Sequence, residues 1–128
     1  MEGFDFLGYR FEGGQRRPRA KSLEKLKDTI RAKTRRNSGG SLKAIITEVN
    51  RTLRGWFEYF KHSHRWTFEP LDRWIRRRLR GLLRRRLGLR GISRGMGDSL
   101  RWPNAFFTGQ GLYNLSNAHA QARQSSTR

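Results

Sequence analysis

The spacing of large apolar residues between positions 42 and 60 constrains this chain most. Leu42, Ile45, Ile46, Val49, Leu53, Trp56, Phe57 and Phe60 recur three and four apart. That period fits an α-helix and gathers them into one wide stripe on one face. Ser41 follows the break Asn37-Ser38-Gly39-Gly40 and stands where an N-cap belongs. The stripe ends in the aromatics Trp56, Phe57 and Phe60. One helix cannot bury so much surface alone, so the flanking segments must cover it. Asn50, Arg51, Arg54 and Tyr59 fall off the stripe or on its edge and keep polar groups free.

Ahead of this helix, residues 4–11 are aromatic-rich and broadly alternating, which reads as a strand with Gly8 marking a bulge. Glu12-Gly13-Gly14-Gln15 reads as a turn, and residues 15–19 as a short returning strand. A two-stranded hairpin is marginal alone, so this element is expected to belong to a larger sheet. Residues 16–36 carry ten Lys or Arg against Glu24 and Asp28. Leu23, Leu26 and Ile30 give a thin apolar edge to a helix expected over about 22–35, capped by Ser22, with Glu24 in its first turn. The joint at 37–40 is too short for a domain linker.

After the central helix, residues 61–68 read as a connection. Pro70 is expected at the first position of a helix over 70–87. Leu71, Trp74, Ile75, Leu79, Leu82 and Leu83 recur there at helical spacing. This second stripe predicts a crossed or antiparallel pair with the first, Trp56 facing Trp74. Between them lie Arg73, Arg76, Arg77, Arg78, Arg80, Arg84, Arg85 and Arg86, expected to form a continuous ridge on the opposite face. Gly88 reads as the C-cap, and 88–99 as a basic, glycine-rich linker. The apolar groups in 101–107 and 111–119 read as a patch that docks back on the helices, with a weak helix near 116–122. The expected fold is mainly α: an N-terminal β-hairpin, a three-helix bundle and an irregular C-terminal extension.

Charge narrows the partners. The net charge is +19, and self-repulsion of that size disfavours a compact chain unless something anionic binds. Arginines with so few acids between them lose a few tenths of a kcal/mol for each like-charged i, i+4 pair. Guanidinium forks fit phosphate and stack on bases, which points to RNA. No segment approaches the roughly 20 apolar residues of a membrane span, so no membrane partner is expected. There are no cysteines, which excludes disulfides and thiolate metal sites and fits a cytoplasmic location.

Asn50-x-x-Leu53-Arg54-Gly55-Trp56-x-x-Tyr59-Phe60 resembles the signature of the maturase-specific, or thumb, domain of group II intron reverse transcriptases. Leu71-Asp72-x-Trp74-Ile75-x-x-x-Leu79-Arg80 resembles that domain's last helix, and Phe6-Leu7-Gly8-Tyr9 the last block of the polymerase palm. The resemblance covers roughly residues 4–90. Residues 101–119 resemble the C-terminal extension of relatives that lack an endonuclease domain. It implies the end of a palm-like hairpin at 1–19, a maturase-specific helical domain at 20–90, and a linker with C-terminal extension at 91–128. It also implies an RNA-binding domain that assists intron folding and splicing and forms the thumb of a reverse transcriptase. The fingers and most of the palm are missing from this chain, which the resemblance makes the thumb end of a larger, split or degenerate enzyme. Group II intron RNA, primer-template and a separate fingers-palm polypeptide are the implied partners. Asn50, Gly55, Trp56, Tyr59, Phe60 and Trp74 are the motif and core positions.

No catalytic constellation stands in the sequence. Polymerase chemistry needs clustered carboxylates for two metal ions, and the ten acids here are scattered with no Asp-Asp pair. No phosphate loop or nucleophile elbow occurs, and no cofactor is expected. His62 and His64 lack a nearby third ligand, so basic surface or turn packing suits them better than zinc. The expected phosphate contacts are Arg73, Arg76, Arg77, Arg80, Arg84 and Arg85, assisted by Arg51, Arg54 and Lys61. Trp66 and Tyr59 are candidates for base stacking, with core packing the commoner role. Two other readings stay open: a reverse transcriptase reconstituted with a separate catalytic chain, and a generic basic ribosomal or architectural nucleic-acid binder.

Overall fold

A computed structural model describes residues 3–35, 39–88 and 96–126, with the side chains of Phe4, Met96 and Ser126 not described. Asn37 and Ser38 of the expected joint, and residues 89–95 of the expected linker, lie outside the described residues. Three antiparallel strands come first: β1 (Phe4–Phe6), β2 (Tyr9–Glu12) and β3 (Gln15–Pro18), in the order β1-β2-β3. Six α-helices follow: α1 (Ala20–Lys33), α2 (Leu42–Phe60), α3 (Phe68–Arg86), α4 (Met96–Arg101), α5 (Asn104–Gly109) and α6 (Leu115–Ser126). The mainly α class with an N-terminal antiparallel sheet agrees with the sequence expectation.

The strand expected over 4–11 is two strands. Leu7 and Gly8 both have positive φ, 52° and 84°, so they turn the chain in the primed sense that suits a tight hairpin. Gly8 is therefore a turn residue and not a bulge. A leucine at positive φ is strained. The Tyr59 hydroxyl donates to the Leu7 carbonyl and holds it there. The Tyr9 hydroxyl donates back to the Tyr59 carbonyl at 2.6 Å.

Helix α1 starts at Ala20 after an extended Arg19, two residues before the expected cap. The Ser22 hydroxyl is otherwise engaged, donating to the Gly8 carbonyl at 3.2 Å. Glu24 therefore sits beyond the first turn and pairs with Arg31 at 2.8 Å, as does Asp28. Helix α2 has the expected span, and Ser41 Oγ accepts the Ala44 N–H at 3.1 Å. A 3-10 turn at Arg65–Thr67 runs straight into α3. Pro70 thus falls inside the first turn of α3, where a missing N–H still removes no intrahelical bond. Gly88, φ 70°, terminates α3 as expected.

The core draws on α1, α2, α3, α5 and α6. Leu26 and Ile30 of α1, Ile46, Val49, Leu53 and Phe57 of α2, and Phe68, Leu71, Ile75, Leu79 and Leu82 of α3 form one buried cluster. Trp102, Phe107 and Leu115 join it from the C-terminal segment. Trp56 and Trp74 sit at different seams and not face to face. Trp56 packs on Phe60 and Phe68, with ring centroids 4.8 and 6.4 Å away. Trp74 lies against α1, with the Arg31 guanidinium 5.4 Å and the Lys27 ammonium 5.6 Å from its ring. The irregular extension expected at the C-terminus is instead helical, because α3 supplies anchors for it. Asp72 accepts the N–H groups of Leu115 and Ser116, at 2.9 and 3.0 Å, and starts α6.

Phe68 is fully buried where the 3-10 turn, α2 and α6 converge. Phe68→Ala is expected to cost about 3–5 kcal/mol. Trp74→Ala, at a half-exposed seam, is expected to cost roughly half as much. Urea unfolding followed by circular dichroism checks both.

Candidate nucleic-acid interface

The arginines of α3 divide into two sets. Arg73, Arg77 and Arg85 are exposed. Arg73 lies 3.8 Å from Glu69, while the side chains of Arg77 and Arg85 make no hydrogen bond or ion pair among the described residues. The other set is used inside the fold. Arg76 is only 7% exposed and reaches Glu69 at 3.5 Å. Arg80 donates to the Trp102 carbonyl at 2.8 Å and to Asn104 Oδ1 at 2.9 Å. Arg84 pairs with the buried Asp98 at 3.5 Å. Arg78 reaches the other way, onto Thr34 and the Arg31 carbonyl of α1. The continuous solvent ridge expected from helical spacing is therefore interrupted. The spacing was right, but α4 and α5 cover the flank carrying positions 76, 80 and 84.

On α2, Arg51 and Arg54 are exposed. Arg51 lies 3.4 Å from Glu48, and Arg54 stands 5.6 Å over the Tyr113 ring. Lys61 is half-buried and 3.3 Å from Glu58. The polar edge of α2 is structural. Asn50 is buried, donating to the Gly111 carbonyl at 2.8 Å and accepting the Tyr113 N–H at 2.7 Å. Tyr59 holds the β1–β2 turn, and Phe60 packs between Tyr9 and Trp56. Gly55 is exposed, and a Cβ built on it would meet open space.

Asp72 was legible as the lone acid inside the arginine run, yet its role was not. Its carboxyl is pushed above the usual carboxylate range by burial, opposed by the bonds from Ser116 and Leu115 and by the Arg76 charge. A second feature escaped the sequence. The α2–α3 connection and α6 flank an open cleft of about 800 Å³ lined by Lys61, His62, His64, Arg65, His119 and Arg123, with Ala122 and Ser125. Residues 60 positions apart make it, and nothing in their local spacing points to one another. Trp66, a candidate stacking residue, is 70% exposed beside it. Among the described residues, no three acids or histidines are grouped to hold a metal ion. No described helix is long and apolar enough to cross a membrane.

Residues 23–95, more than half of the chain, match the family model of the group II intron maturase-specific domain. The chain belongs to that family. No curated protein matches the chain at a significant level. The matched segment of this maturase-specific domain includes α1 from Leu23 onward, α2, α3 and the motif positions from Asn50 to Phe60. The partners of Asn50, at Gly111 and Tyr113, lie beyond it.

The two arginine sets predict unequal stability effects. Arg84→Gln leaves Asp98 buried without its counter-charge and is expected to cost on the order of 3 kcal/mol. Arg77→Gln is expected to stay within about 0.5 kcal/mol of the parent. Thermal unfolding at matched salt compares them.

Proposed function

We propose that this maturase-specific domain binds group II intron RNA and assists its folding into the splicing-active form. The observation that carries the reading is that Arg51 and Arg54 of α2 and Arg73, Arg77 and Arg85 of α3 are all exposed in a chain of net charge +19. Arginines used as internal ties satisfy the fold. Those left in solvent gain most from phosphate, through counterion release and bidentate hydrogen bonds. Arg76, Arg80 and Arg84 tie α3 to neighbouring groups, so this reading puts the first phosphate contacts on the exposed set.

Gly55 supports the same reading. A glycine inside an exposed helix costs about 1 kcal/mol relative to alanine, and no neighbour within the fold needs its missing side chain. Close approach by a partner does. Gly55→Ala is expected to raise stability by roughly 0.5–1 kcal/mol while weakening RNA binding. Melting curves and filter binding of the same variant test both halves.

The exposed β1 edge favours a second contact. Phe6 and Leu7 are 59% and 67% exposed at that end of the sheet. A separate fingers-palm polypeptide seated there completes a polymerase, with this domain as the thumb. Primer extension that appears only when both chains are mixed tests it.

For RNA, roughly five neutralised phosphates give a slope of log K against log salt near −3.5 on single strands and −4.5 on helices. Arg73→Gln, Arg77→Gln and Arg85→Gln together are expected to flatten it by about two while the fold stays intact. Filter binding of intron RNA, tRNA and duplex DNA over a salt series decides the matter. Equal affinity for all three would identify a generic basic binder.

A further inference from the structure

We propose that the cleft between the α2–α3 connection and α6 binds the phosphate of an unpaired nucleotide whose base stacks on Trp66. The inference rests on the RNA-binding reading and adds a defined site to it.

Among the described residues, the cleft's lining carries three fixed cations, Lys61, Arg65 and Arg123, three imidazoles and no carboxylate. Glu58 neutralises Lys61 in part, from 3.3 Å. Arg65 and Arg123 are exposed, and neither has an acidic partner among the described residues. His64 accepts the Trp66 backbone N–H on Nδ1 at 3.3 Å. Its neutral form then carries the ring proton on Nε2, so it donates to an anion without gaining charge. His119 lies on the Phe68 ring at 4.8 Å. Burial, then Arg123 and His64, hold its pKa below the ordinary histidine value.

The walls are held in place. The His64 N–H donates to the Arg16 carbonyl of β3 at 2.8 Å, and the Thr67 N–H to the His64 carbonyl at 2.9 Å. The Trp66 indole meets the His64 ring edge-on at 4.8 Å, and the Arg65 guanidinium stands 5.7 Å from it. An exposed indole on a rigid turn beside clustered cations presents a free π-face and a phosphate site together. That combination suits a single-stranded nucleotide, because a paired base within a helix has no face to offer.

The test uses the full chain and a short single-stranded oligoribonucleotide containing 2-aminopurine. Binding is expected to quench the 2-aminopurine. Trp66→Ala should abolish the quench and weaken binding about tenfold. Arg65→Gln with Arg123→Gln should weaken binding at least as much and flatten the salt slope by roughly 1.4, with unchanged thermal unfolding. Lys25→Gln, on the exposed face of α1, should keep the quench. Retention of quench and affinity in the Trp66 or double-arginine variant would overturn the cleft site while leaving RNA binding elsewhere intact. Equal affinity for a blunt duplex of the same sequence, or full displacement by low millimolar inorganic phosphate, would overturn the nucleotide assignment. A parent chain that binds no RNA at all would overturn both this and the broader reading.

Discussion

The structure depends on covering the apolar face of α2 in a chain whose cations repel one another. Burial around Val49, Leu53 and Phe57 provides the attraction. Part of the opposing charge is turned to use. Arg76, Arg80 and Arg84 point along one flank of α3, where the Trp102 carbonyl, the Asn104 amide and the carboxylates of Glu69 and Asp98 receive them. On the other flank Arg78 bridges to α1, and Lys27 and Arg31 lie over the Trp74 ring. Guanidinium groups here do what leucines do elsewhere, joining elements, and their long aliphatic stems let them do so from the margin of the core.

This division explains what was legible beforehand. The α2 helix could be read almost to the residue, because a stripe of eight large apolar side chains and a serine cap allow one period and one start. Position 22 misled because a hydroxyl suited to capping was claimed by a strand turn fourteen residues away. The arginines misled more deeply. Helical spacing says which of them share a face, but not whether that face meets solvent. The answer lies in residues 96–117, whose docking depends on single long-range partners such as Asp72 and Asn50. The basic cleft was illegible for the same reason, since α6 reaches it only after docking. The motif Asn50–Phe60 identified the family, yet Asn50 and Tyr59 act as fasteners for distant backbone.

Helix α6 has no strong stripe of its own. Its start is fixed by the Asp72 carboxylate and its body leans on Phe68 through His119. Such a helix owes its order to α3 more than to its own sequence. The C-terminal segment is thus placed by the helix it covers, and both the interrupted ridge and the cleft follow from that placement.

The strained Leu7 turn has a mechanical consequence. Tyr9 and Tyr59 exchange bonds across it, and β3 is tied through Arg16 to the backbone of His64. The sheet is therefore fastened at two points to the end of α2 and to the turn that carries Trp66. A force applied to the free edge of β1 has no slack to take up. Those bonds couple the position of the sheet to the end of α2 and to the turn that carries the indole.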